Sequence, residues 1–120
     1  MPHFVVDCSK SVLSSHDGAT VTKEVHLAAV STGLFGEANV QVRINSFDDY
    51  LKVNEKQDFI QVVANILEGR TAEQKIALSE TVVTKLVEMF PNVPVVGMDI
   101  LNVEKGTGFN KNKLLAKSEK

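Results

Sequence analysis

The feature that most restricts the fold of this chain is an order of patterns that occurs twice: a strand pattern, then apolar residues at helical spacing, then another strand pattern. Residues 3–8 read as a first strand, with Val5 and Val6 inside an otherwise alternating hexapeptide. Ser14, Ser15, Asp17 and Gly18 mark a turn, after which Val21, Val25, Ala28 and Ala29 recur at helical spacing up to Gly33, a residue suited to a helix C-terminus. From Asn39 to Phe47 the chain alternates, placing Val40, Val42 and Ile44 on one face and Gln41, Arg43 and Asn45 on the other. An excursion from Asp48-Asp49 through Tyr50 and Val53 reads as a short hairpin arm. The cycle then repeats. Asp58-Phe59 opens an apolar strand to Leu67, Gly69 turns the chain, and Thr71 with Gln74 three positions on forms a capping-box signal. Ile76, Val82, Val83, Leu86 and Phe90 make a buried stripe, Pro91 and Pro94 stop the helix, and Val95–Glu104 is the last long strand. Beyond Gly106 and Gly108, residues 109–120 are rich in Lys and Asn and are expected to be partly frayed.

The pattern predicts a single α+β domain over residues 1–120. It is built from two β-α-β halves at about residues 1–57 and 58–105 with a C-terminal tail at 106–120. Each helix serves as a right-handed crossover, and both cover one face of a four-stranded sheet. The other face is left open. On the third strand Phe59, Val63 and Leu67 share that face with Gln61 and Asn65, a composition suited to a subunit interface. A chain of 120 residues with 43% hydrophobic residues forms a modest core, burying roughly two-thirds of its unfolded surface, so self-association has something to add.

Charge and segment content exclude several functions. Thirteen Lys and Arg against fifteen Asp and Glu give a net charge of −2, without the basic excess of a nucleic-acid binder. No apolar run approaches the ~20 residues that a bilayer-spanning helix needs, and the opening residues lack the pattern of a secretory signal. The expectation is a cytoplasmic protein with no membrane or nucleic-acid partner. Cys8, the single cysteine, cannot form an internal disulfide and reads as a small buried residue in a strand. His3, His16 and His26 fall in a strand, a turn and a helix without metal-ligand spacing, and Gly33-Leu34-Phe35-Gly36 lacks the Lys-Ser/Thr ending of a phosphate loop. Neither a metal nor an organic cofactor is expected.

Pro2 remains. Removal of an initiator methionine ahead of proline uncovers a secondary amine at the very start of the first strand. A free α-amino group titrates near about 7.7–8, and burial beside cations moves such a group toward the range of a general base at neutral pH. Met-Pro is also simply a common way for a chain to begin.

The opening Met1-Pro2-His3-Phe4-Val5-Val6-Asp7-Cys8-Ser9 resembles the start of the 5-carboxymethyl-2-hydroxymuconate delta-isomerases, a branch of the tautomerase superfamily that uses an N-terminal proline. The likeness continues through Ser31-Thr32-Gly33-Leu34-Phe35, Val42-Arg43, Phe59-Ile60-Gln61-Val62, Leu67-Glu68-Gly69-Arg70-Thr71 and Phe109-Asn110-Lys111-Asn112, in the family's order and spacing. It implies a tautomerase-like fold, with tandem β-α-β units on a mixed four-stranded sheet, assembled as a homotrimer with active sites at subunit boundaries. It also implies an intramolecular oxidoreductase that interconverts keto and enol groups and transposes carbon–carbon double bonds. The family's substrate is a dienol with three carboxylates from homoprotocatechuate breakdown, whose 2-hydroxyl proton moves to a distant carbon.

By the same resemblance Pro2 is the general base and Arg70 an anion-binding catalytic residue, while the family's other substrate arginine falls on Gln41. Arg43, two residues further along the same strand face and about 7 Å away, is the cation available to compensate. With an uncharged residue at position 41, a different dicarboxylate enol is an alternative substrate. A non-catalytic trimeric binding protein of the same fold is an alternative function.

Overall fold

A computed structural model describes residues 1–118. Its elements are β1 (His3–Ser9), a 3-10 turn (Lys10–Ser14), α1 (Gly18–Ser31), a second 3-10 turn (Glu37–Asn39), β2 (Gln41–Phe47), β3 (Phe59–Leu67), α2 (Ala72–Met89), β4 (Val95–Val103) and α3 (Lys111–Ser118). The sheet order is β2-β1-β3-β4. β1 runs parallel to β2 and β3 parallel to β4, while the central β1–β3 pair is antiparallel, so two β-α-β units meet across an antiparallel seam. No helix among the described residues is long and apolar enough to cross a membrane.

Strand alternation builds the core. Phe4, Val6 and Cys8 of β1 and Ile60, Val62, Ala64 and Ile66 of β3 are buried beneath the helices. α1 contributes Val21, Val25, Ala28 and Ala29, the stripe that its periodicity predicts, and packs over β2. It starts at Asp17, whose side chain accepts from the Thr20 N–H at 2.8 Å. α2 carries the full Thr71–Gln74 capping box and packs over β4. Its buried stripe is Leu78, Val82 and Leu86, with Phe90 behind the last turn, whereas Ile76 is 57% exposed. Residues two apart on a helix point about 200° apart, so Ile76 falls outside the stripe that Leu78 begins.

Three further expectations are corrected. The second strand begins at Gln41, because residues 37–39 coil into a 3-10 turn. The arm after β2 does not form a hairpin of strands: it holds only an isolated Lys52–Glu55 bridge, with Val53 at φ 58° in the turn. The tail does not fray over its length but forms α3, since Asn110 Oδ1 accepts from the Lys113 N–H at 2.9 Å, an N-cap arrangement. Residues 119 and 120 lie outside the described residues.

Candidate functional site

The antiparallel seam decides which strand ends share a neighbourhood. His3 pairs with Gln41 on one side and Asn65 on the other, and Leu67 pairs with Val103. The starts of β1 and β2 therefore stand at the same end of the sheet as the finishes of β3 and β4. A cleft of about 510 Å³ opens there, lined by Met1, His3 and Gln41, by Leu67, Val103 and Glu104, and by Phe109, Asn110 and Lys113 of the tail. Pro2 is buried beside it, and its carbonyl accepts from the Gln41 N–H at 3.1 Å. That bond fixes the first residues of the chain against β2. While Met1 is attached, the Pro2 nitrogen is an amide. Met1 itself lines the cleft.

Arg43 lies two residues beyond Gln41 on the exposed face, its Nη2 3.5 Å from His3 Nδ1. Burial, then the N-terminal amine and then Arg43 hold the His3 pKa below the ordinary histidine value, so its imidazole is neutral at neutral pH. With Nδ1 turned toward a guanidinium donor, the proton belongs on Nε2. Lys113 reaches the cleft from the first turn of α3, and its Nζ donates to the Gly108 carbonyl at 2.8 Å.

Arg70 is placed differently. Its Nη2 donates to the Leu34 carbonyl at 2.8 Å, and its guanidinium lies over the Phe35 ring at 5.4 Å. The Nε is buried without a partner. Phe35 in turn packs edge-on against Phe4, two residues from Pro2 in β1. Arg70 thus joins this end of the sheet from the helix side, through Phe35, and is not among the residues that line the cleft. The structure brings Pro2, Gln41 and, through His3, Arg43 together, and sets Arg70 one residue layer away.

Other chemistry-bearing residues have structural partners. Cys8 is buried, and burial followed by Asp7 pushes its thiol pKa up. His16 bonds the Met89 carbonyl and His26 the Glu37 carbonyl, each at 3.1 Å. A larger cleft of about 580 Å³ lies between α1 and α2, lined in part by Glu24, Thr81, Lys85 and Glu88, and contains none of the N-terminal groups. Sequence reasoning missed His3 and Lys113 as members of the site. His3 had a signal in its place directly after Pro2, and Lys113 had one in the cap spacing from Asn110.

Comparison with known proteins gives consistent results. A curated relative, the 5-carboxymethyl-2-hydroxymuconate Delta-isomerase of Escherichia coli, is 26% identical over 77 residues, covering 62% of this chain. The match spans 61% of that relative's length. A solved 5-carboxymethyl-2-hydroxymuconate isomerase from Deinococcus radiodurans R1 superposes with a TM-score of 0.79 at 15% identity, covering 99% of this chain and 95% of that one. A fused 4-OT described as a symmetric trimer gives 0.75 at 16% identity, covering 95% and 98%. These structures show the shared fold. A family model described as 5-carboxymethyl-2-hydroxymuconate isomerase matches residues 2–106, from the buried proline to just past the last strand. The chain belongs to the 5-carboxymethyl-2-hydroxymuconate isomerase family.

Proposed function

We propose that the protein is a cofactor-independent isomerase that moves a proton on an unsaturated, carboxylated enol, with 5-carboxymethyl-2-hydroxymuconate as the substrate that its family membership suggests. One observation carries the reading: Met1, next to the buried Pro2, lines the same cleft as His3 and Gln41. After loss of Met1 the Pro2 amine takes the proton of the 2-hydroxyl. The electron pair of that O–H bond becomes the carbonyl, the double bonds shift along the chain, and the same amine returns the proton to the distant carbon. Nothing else is consumed. Arg43 and Arg70, which do not line the cleft within one chain, are assigned to substrate carboxylates and the developing enolate at the subunit boundary, a role for which planar, permanently charged groups are suited. Leu34 takes one of the N–H groups of Arg70, and the Nη groups it leaves free serve the anion. The active unit is a homotrimer, supported by the open sheet face and by the trimeric relative of the same fold.

The test is turnover by protein whose first residue has been verified by mass. Pro2→Ala is expected to lower the turnover number by about 10²- to 10⁴-fold, the contribution of a general base. Equal turnover by the two proteins overturns the proposal. A native protein that retains Met1 and turns over no enol points instead to a binding protein of the same fold. Gln41 favours a second substrate reading: an uncharged amide in the cleft suits a dicarboxylate enol better than a tricarboxylate.

A further inference from the structure

The cleft faces a charge problem that the strands alone do not solve. Gln41 brings no charge, and Arg43 stands behind the imidazole of His3, which is the group that lines the cleft. Glu104 adds a carboxylate to the lining. Among the lining residues the one lysine or arginine is Lys113, carried by a helix where the sequence pattern leads one to expect a frayed tail.

Three observations place that ammonium. Asn110 caps α3 and fixes Lys113 in its first turn, with the capping bond at 2.9 Å. The side chain bends back so that Nζ donates to the Gly108 carbonyl at 2.8 Å, which holds it over the cleft and uses one of its three N–H groups. Among the described residues the ion pairs are Lys10–Asp48 and Lys85–Glu24, so no described carboxylate forms a close ion pair with Lys113. A cation held by a carbonyl with two donors to spare is a ready partner for an incoming anion.

We propose that Lys113 binds a substrate carboxylate in this cleft and supplies from the tail the positive charge missing at Gln41. The inference rests on the enol-isomerase reading for its substrate class, but not for its test. The probe is tricarballylate, a saturated tricarboxylate that cannot be isomerised, measured by titration calorimetry against protein with a verified N-terminus; 3-phenylpropionate is the monocarboxylate control. Lys113→Met is expected to weaken tricarballylate about tenfold, the scale of one charge-assisted hydrogen bond, and 3-phenylpropionate less than about twofold. Lys113→Arg should stay near wild type, and Gln41→Arg should restore affinity to the Lys113→Met protein by returning the charge from the strand. Lys117→Met, which removes a charge from the last turn of the same helix outside the cleft, should change nothing.

Equal losses for both probes, equal losses from Lys113→Met and Lys117→Met, or no tricarballylate binding by the wild type would overturn the role of Lys113. Each result is separate from the fate of Pro2. A protein that binds tricarballylate through Lys113 but turns over no enol keeps the anion site and loses the reaction; the reverse keeps the reaction and loses the anion site.

Discussion

Single side chains here act through neighbours that the linear sequence does not disclose. His3 is held neutral by burial, by the N-terminal amine and by Arg43. Arg43→Ala removes one of the two cations that oppose its protonation, so the His3 titration followed by NMR should move upward; an unchanged or lower pKa would mean that the guanidinium does not face the imidazole. The family resemblance makes Arg70 an anion-binding residue, and the structure also gives it a charged bond to Leu34 and a seat on Phe35. Arg70→Ala is therefore expected to cost stability as well as anion binding. The bond is worth about 1.5–3 kcal/mol and the ring contact about 0.5–1 kcal/mol. Chemical denaturation measures the first effect and a carboxylate titration the second. Unchanged stability would show that the guanidinium is free for substrate alone.

At the scale of elements, the segment between β2 and β3 is held by one carboxylate. Asp58 Oδ1 accepts from Ser9 at 3.1 Å, from Ser11 and from Tyr50 at 3.1 Å, and buried Ser9 in turn accepts from the Phe59 N–H at 3.2 Å. The cluster ties the arm, the 3-10 turn after β1 and the start of β3 together. The hydrogen bond from Ser11 is the largest influence lowering the Asp58 pKa from its usual value of 3.8; those from Ser9 and Tyr50 and the charge of Lys56 add to it, and burial opposes them. A carboxylate lowered in the folded state contributes stability that is fully present above the unfolded pKa and is lost as pH falls through the folded one. Asp58→Ala should cost about 1–3 kcal/mol at neutral pH, and the gap to wild type should narrow as pH drops below about 4. A gap independent of pH would assign the effect to packing.

For the whole molecule, the open sheet face is the decisive surface. Val5, Val63 and Val103 are only half-buried there and Leu101 is 54% exposed, among Asp7, Gln61 and Asn65. Gly97 lets the sheet face stay level: a Cβ there would come within 2.9 Å of Gln61 Oε1, whose amide instead crosses it to donate to Asp99 at 3.0 Å. Light scattering should report about three times the chain mass, and Val63→Lys, a charge placed mid-face, should shift the protein to monomers that keep their helical circular dichroism. A monomeric wild type at micromolar concentration would move the site entirely within one chain.

Much of this was legible in the residues because it is local. Helix α1 and its buried stripe, the Thr71–Gln74 box, and the strand faces around Val42 in β2 and Val62 in β3 all follow from periods of 3.6 and 2 and from cap chemistry within a few positions. The proline at position 2 and the family blocks were legible too, since a residue at the start of a chain needs no fold to be noticed. What only the tertiary structure decided is non-local. The antiparallel pairing of β1 with β3 brings the start of the chain to the finish of β4, and no periodicity within either unit encodes that register. It sets Leu67, Val103 and the tail beside His3 and Gln41, so that Lys113 shares one cleft with an uncharged amide, while the packing of the helices turns Arg70 onto Phe35. Side-chain partners far apart in sequence are chosen by how two units pack, and packing is a property of the whole chain.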